Sequence, residues 1–164
     1  MAAVIGFAGF SNSGKTRLIS QLVRYFTQLN LRCAVVKHDA HGHYTEASGK
    51  DSSQFVEAGA AATAIISPHS FVVIQKVPIT LEGLLSRLQS DGFDLILIEG
   101  FKKGNHDQVA IFRDKEQAGI LTELTHLPIA VVAPEKLKAY SIEGVPFFDS
   151  DDLASIAGWI QTRM

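Results

Sequence analysis

Cysteine is almost absent from this chain, with Cys33 the single one among 164 residues. One thiol cannot close an internal disulfide, and no cysteine pair is available for a structural zinc centre. Cys33 sits in an apolar run and reads as a small buried hydrophobe. A dominant charge is missing too. Fifteen Lys and Arg face 17 Asp and Glu, for a net charge of −2 and no Lys/Arg run. That balance asks for neither nucleic acid nor an acidic membrane as a partner. No apolar stretch reaches the roughly 20 residues of a membrane span. Met1-Ala2-Ala3-Val4 leads straight into an apolar segment that reads as a strand, so no signal peptide is expected. A cytoplasmic protein is expected. With 46% hydrophobic and 20% charged residues the chain is globular rather than disordered. Its length suits one domain, residues 1–164, with a single core.

What the chain does have is a phosphate loop. Gly9-Phe10-Ser11-Asn12-Ser13-Gly14-Lys15-Thr16 spells G-x-x-x-x-G-K-[ST]. The apolar run Ala3 to Ala8 before it reads as a buried strand, and a helical pattern from Lys15 to about Leu29 follows it. Gly9 and Gly14 let the backbone curl, so that N–H groups across Ser11, Asn12 and Ser13 and on to Arg17 point inward at phosphate oxygens. Lys15 can then reach the β- and γ-phosphates, and the Thr16 hydroxyl can ligate Mg²⁺. The helix N-terminus adds partial positive charge.

Further strands are expected at Arg32–Lys37, Asp94–Glu99, Gln108–Arg113 and Ile129–Ala133, from continuous apolar runs. Ala62–Ser67 and Phe71–Lys76 flank Pro68-His69-Ser70 and suggest a hairpin. Asp51 or Ser52 can cap a short helix to Ala58, stopped by Gly59. Leu81, Leu84, Leu85 and Leu88 recur at helical spacing, and a capped helix covers about Asp152 to Thr162. The alternation predicts an α/β fold: a mainly parallel sheet with helices on both faces, plus an added antiparallel β-hairpin.

A phosphate loop needs an acid to fix Mg²⁺ and its waters. Leu95-Ile96-Leu97-Ile98 followed by Glu99 has that form, because ligands in such sheets bind at the strands' C-terminal ends. Gly100 beside it would let a main-chain N–H approach the γ-phosphate. At the end of the second strand, Lys37 is a candidate phosphate contact and Asp39 a candidate second Mg²⁺ ligand; solvated strand-end charges are the alternative. His38, His41 and His43 form H-x-x-H-x-H, with Asp39 or Glu46 as possible helpers, but no cysteines complete a zinc set. Gly49-Lys50-Asp51-Ser52 could hold an anion or simply cap its helix. Phe101-Lys102-Lys103-Gly104 reads as a mobile segment at the site mouth, and Arg113 as a phosphate contact or a surface ion pair.

Taken together, Gly9–Thr16, Val36-Lys37-His38, Gly49-Lys50-Asp51-Ser52, Glu57-Ala58-Gly59-Ala60, Leu97-Ile98-Glu99-Gly100-Phe101-Lys102 and Phe112-Arg113-Asp114 resemble the MobB family of molybdenum-cofactor biosynthesis. The E-G-F-K and G-K-D-S segments carry more specificity than the loop. The resemblance implies a P-loop NTPase fold of GTPase type, with the loop strand beside the Glu99 strand. It implies GTP as ligand with Mg²⁺, weak hydrolysis, and a homodimer that adds β-structure across its interface. It further implies MobA as partner, the nucleotidyltransferase that joins GMP to molybdopterin. Molybdopterin, or its guanine dinucleotide, is then a further candidate ligand. Family roles fall on Gly9, Gly14, Lys15 and Thr16 in the loop and on Glu99 as the strand-end acid, which makes Lys15 and Glu99 the candidate catalytic pair. Arg17 departs by standing where many such loops have a second hydroxyl. No Asn-Lys-x-Asp motif is present, so guanine rests on the resemblance. A small-molecule kinase is a second reading, weakened by the lack of an arginine-rich lid; a metallochaperone GTPase is a third, prompted by the histidines.

Overall fold

A computed structural model describes residues 2–39, 42 and 51–164. The chain divides into two compact units: Met1–His38 with Leu85–Met164, and Asp39–Leu84. Strands in chain order are β1 (Ala3–Ala8), β2 (Cys33–Lys37), β3 (Ala62–Ser67), β4 (Ser70–Gln75), β5 (Leu95–Glu99), β6 (Gln108–Ile111), β7 (Ala130–Ala133) and β8 (Phe147–Asp149). The helices are α1 (Lys15–Gln28), α2 (Asp51–Glu57), α3 (Leu81–Ser90), α4 (Ile120–Glu123) and α5 (Leu153–Gln161).

The first unit is built on a six-stranded sheet in the order β2-β5-β1-β6-β7-β8, with every pairing parallel. Side chains alternate across a strand, so each strand feeds two cores. On one face Ile5, Phe7, Leu95 and Leu97 meet α1 and α5. Leu18, Ile19, Leu22 and Phe26 form the apolar stripe of α1, spaced for one side of a 3.6-residue helix. On the other face Ala110, Phe112, Val131 and Ala133 pack against Ala118, Ile120 and Leu137. The expected parallel α/β plan, covered on both faces, is what forms.

Three details differ from the sequence reading. Strand β2 is an edge strand, so it alternates between buried and exposed, and Cys33 is only half-buried. Burial still pushes its thiol pKa up, with Asp94 adding to the shift. The expected strand to Arg113 ends at Ile111, although the Phe112 N–H still donates to Val132 O at 3.2 Å. Short elements with little pattern, β8 and α4, carry no clear sequence signal. The C-terminal helix is capped as expected. Asp152 accepts from the Ser155 N–H at 3.1 Å and from its hydroxyl at 2.6 Å, and these bonds hold its carboxyl below the usual range.

The second unit holds α2 and the antiparallel hairpin β3–β4, paired in register from Ala62↔Gln75 to Ser67↔Ser70 around a Pro68-His69 turn. Ile66 and Phe71 face each other across that ladder and are 85% and 73% exposed.

Phe26 is fully buried between α1 and the sheet. Phe26→Ala is expected to lower unfolding free energy by about 3–5 kcal/mol, read from the urea midpoint, with secondary structure retained in native buffer.

Candidate functional site

Strand β1 ends between β5 and β6 at the C-terminal edge of the sheet, and the loop Gly9–Gly14 leaves from there into α1. Two backbone demands explain its glycines. A Cβ on Gly9 would run into the Ile111 carbonyl oxygen and the Ser13 hydroxyl, so only glycine passes β6 this closely. Gly14 turns the chain into α1 at φ +98°, a left-handed conformation that glycine adopts without strain. No side chain caps α1, and the first-turn N–H groups of a helix have no intrahelical acceptor. The loop therefore presents donors and the positive end of a helix to an anion.

The charged groups gather around this turn. Lys15 folds back on its own loop, donating to Gly9 O at 3.1 Å and Phe10 O at 2.7 Å, with the Ser13 hydroxyl at 3.4 Å. Burial lowers the Lys15 pKa below the ordinary lysine value; the Glu99 charge opposes that shift, while Lys102 and Lys37 add to it. Thr16 Oγ1 donates to Glu99 Oε1 at 3.0 Å. Parallel pairing makes this contact, since Phe7 on β1 is the register partner of Glu99 on β5. Lys37 Nζ lies 3.5 Å from the same Glu99 oxygen, held there by the Lys37↔Glu99 register of β2 and β5.

A hydroxyl and a carboxylate are the hard oxygen donors Mg²⁺ prefers. The Thr16–Glu99 contact brings two such donors side by side.

Other expected residues behave differently. The Gly100 N–H is donated to Phe7 O at 3.1 Å, so it extends the β5–β1 ladder and is not offered to a phosphate. The Phe101–Gly104 segment, expected to be loose, is pinned. The Gly104 N–H donates to Phe101 O at 2.7 Å, and the Gln108 side chain donates to the same oxygen at 2.8 Å. Lys102 pairs with Glu123 at 2.8 Å and lies over the Phe10 ring. Arg17 pairs with Asp151 at 3.7 Å. His38 stacks on Phe101, with centroids 4.2 Å apart. Among the described residues no group of three His, Cys, Asp or Glu could hold a metal ion. His41, His43, Glu46, Gly49 and Lys50 lie outside the described residues, and Asp39 belongs to the second unit.

Two residues brace the loop from a hundred positions downstream. Arg113 Nη1 donates to Asn12 O at 2.9 Å, and Gln117 Nε2 donates to Ser11 O at 3.2 Å. Gln117 also accepts from the Arg113 N–H at 3.0 Å, and its own N–H donates to Asp114 Oδ1 at 2.8 Å. Arg113 stands out in the sequence as a strand-end charge; Gln117 carries no such signal. The Asp114-x-x-Gln117 spacing signals a local turn, but nothing local signals that the turn reaches the loop.

The family model for molybdopterin guanine dinucleotide synthesis protein B, MobB, matches residues 4–134. The chain belongs to the MobB family. The molybdopterin-guanine dinucleotide biosynthesis adapter protein of Escherichia coli is 33% identical over 118 residues, covering 70% of this chain and 67% of that one. A crystal structure of Bacillus subtilis MobB superposes with a TM-score of 0.85 at 27% identity, over 99% of this chain and 98% of that one. The hydrogenase maturation factor HypB from Archaeoglobus fulgidus shares the fold, with a TM-score of 0.59 at 13% identity over 98% and 89% of the two chains. The MobB match spans both the loop and the Glu99 strand, the two halves of the site described above.

Because Gln117 holds the Ser11 carbonyl and the Arg113 N–H together, Gln117→Ala should loosen the loop, read as faster amide hydrogen exchange across Gly9–Gly14. The unfolding midpoint should move little, since the bonds lost are exposed.

Proposed function

We propose that this chain is a GTP- and Mg²⁺-binding adapter in molybdopterin guanine dinucleotide biosynthesis, slow in hydrolysis and working with a MobA-like nucleotidyltransferase. The observation that carries the reading is the Thr16–Glu99 contact at 3.0 Å beside an uncapped helix N-terminus. Membership of a family named for this synthesis, and an Escherichia coli relative named as its adapter, supply the pathway.

In this reading the loop N–H groups from Ser11 to Arg17 cradle the phosphates. Lys15 exchanges the Gly9 and Phe10 carbonyls for β- and γ-phosphate oxygens. Thr16 and Glu99 hold Mg²⁺, which when bound offsets phosphate charge, and Glu99 also orients the attacking water. Lys37, 3.5 Å from the Glu99 carboxylate, balances its charge and meets a phosphate from the end of β2. Fast phosphoryl transfer to water draws on an arginine that meets the transition-state charge and a residue that fixes the water. Arg113 and Gln117 are engaged with loop carbonyls instead, which supports slow turnover and a role as binding switch. Direct contact with molybdopterin, or with its guanine dinucleotide, belongs to the same reading, since the adapter would meet the transferase at that step.

A homodimer is part of the proposal. Among the described residues the β3–β4 sheet has two strands, each with an unpaired edge, and its Ile66 and Phe71 are largely exposed. A lone two-stranded sheet is marginal in water, and an apolar edge invites another strand. A second copy of the hairpin provides one.

The deciding experiment titrates GTP and ATP with Mg²⁺, with and without a MobA-like partner. GTP should bind more tightly than ATP, and equal or absent binding overturns the reading. Lys15→Ala should reduce GTP affinity by about 1.5–3 kcal/mol, the worth of a charged hydrogen bond; unchanged affinity would remove Lys15 from the site. Sedimentation at micromolar protein should return a dimer, and Ile66→Lys should return a monomer.

A further inference from the structure

Beside the phosphate loop, within the first unit, lies a cavity of about 380 Å³. That is within the size range of small-molecule sites. It is lined by Ser13 and Gly14 of the loop, by Leu18 of α1, and by Arg113, Pro134 and Asp151, which follow the ends of β6, β7 and β8. The chain leaving β1 turns toward β2, whereas the chain leaving β6 turns toward β7 on the other side. A crevice at such a reversal is where open parallel sheets take ligands.

Asp151 is the carboxylate on this wall, and the backbone leading into it is fixed. Its N–H donates to Asp149 Oδ1 at 3.0 Å, and the preceding Ser150 N–H donates to Ala133 O at 3.0 Å. The side chain is 79% exposed and its pairing with Arg17, 3.7 Å away, is equally open to solvent. Exposed pairs of this kind contribute little, so the carboxylate can exchange Arg17 for better donors.

We infer that this cavity takes the nucleoside of a nucleotide whose phosphates lie on the loop, and that Asp151 selects guanine by accepting from N1–H and the N2 amino group. The inference rests on the nucleotide reading above and supplies the base selection for which the chain has no Asn-Lys-x-Asp motif. Guanine offers two adjacent donors, matched to the two oxygens of one carboxylate. Adenine offers a lone pair at N1 and no amino group at C2, which sets acceptor against acceptor.

The test uses the full chain and its D151N variant, titrated with GTP, XTP and inorganic tripolyphosphate. D151N should lose about 10- to 100-fold in GTP affinity and gain XTP, because the asparagine amide can donate to the xanthine C2 oxygen while its carbonyl accepts from N1–H. Tripolyphosphate affinity should not change, which checks that the loop is intact. A D151N variant that still prefers GTP to XTP overturns the inference alone. The unmodified chain gives a second measurement: ITP, lacking the N2 amino group, should bind about tenfold more weakly than GTP, and equal affinity also overturns the inference. An unmodified chain that binds neither GTP nor tripolyphosphate overturns the nucleotide reading itself.

Discussion

The site depends on the parallel pairing of β1 with β5. The loop and its helix follow β1, and the acid follows β5, 83 residues from Thr16 in sequence. Placing Phe7 opposite Glu99 fixes the height at which the carboxylate leaves the sheet. A shift of one residue along that ladder would send Glu99 to the opposite face, because side chains alternate. The register is protected by burial: Leu95 through Ile98 are fully enclosed, with strands on both sides and α1 and α5 over the face of Leu95 and Leu97. The apolar core therefore acts as the ruler for a polar contact at its rim.

The same enclosure explains why so much was legible in the sequence. A strand with neighbours on both sides and layers on both faces must be apolar throughout, so β1, β5 and β7 announce themselves as unbroken runs. The loop is legible because its constraints are local: a close pass at Gly9, a left-handed turn at Gly14, a lysine and a hydroxyl at fixed offsets. Glu99 follows from its place at a strand end. Legibility fails where the determining partner is distant. The Gly100 N–H is taken by Phe7, Phe101–Gly104 is pinned by Gln108, and Gln117 reaches Ser11 across 106 positions. Strand β2 misleads for a related reason, since its edge position, and so the half-exposure of Cys33, comes from the order of strands and not from their composition.

The charged and polar groups of the site partner one another. Lys15 has carbonyl partners, Thr16 has Glu99, and Glu99 also has Lys37. An anion arriving here would have to replace these bonds, and only the difference between old and new partners would favour it. Such an exchange would leave the sheet untouched, because every group involved sits at the start of α1 or at a strand end. The sheet fixes positions, and only side chains at its edge would need to change partners.

The brace from Arg113 and Gln117 has a bearing on which substitutions the loop can tolerate. Both grips close on main-chain oxygens, those of Asn12 and Ser11. Every amino acid carries that atom, so the holds do not depend on the side chains at positions 11 and 12. Asn12 answers to a different demand, its left-handed φ of +61°, which glycine and aspartate also meet. Divergence can accumulate inside the loop while its shape is conserved from outside, and the record of that conservation would be written at residues 113 and 117.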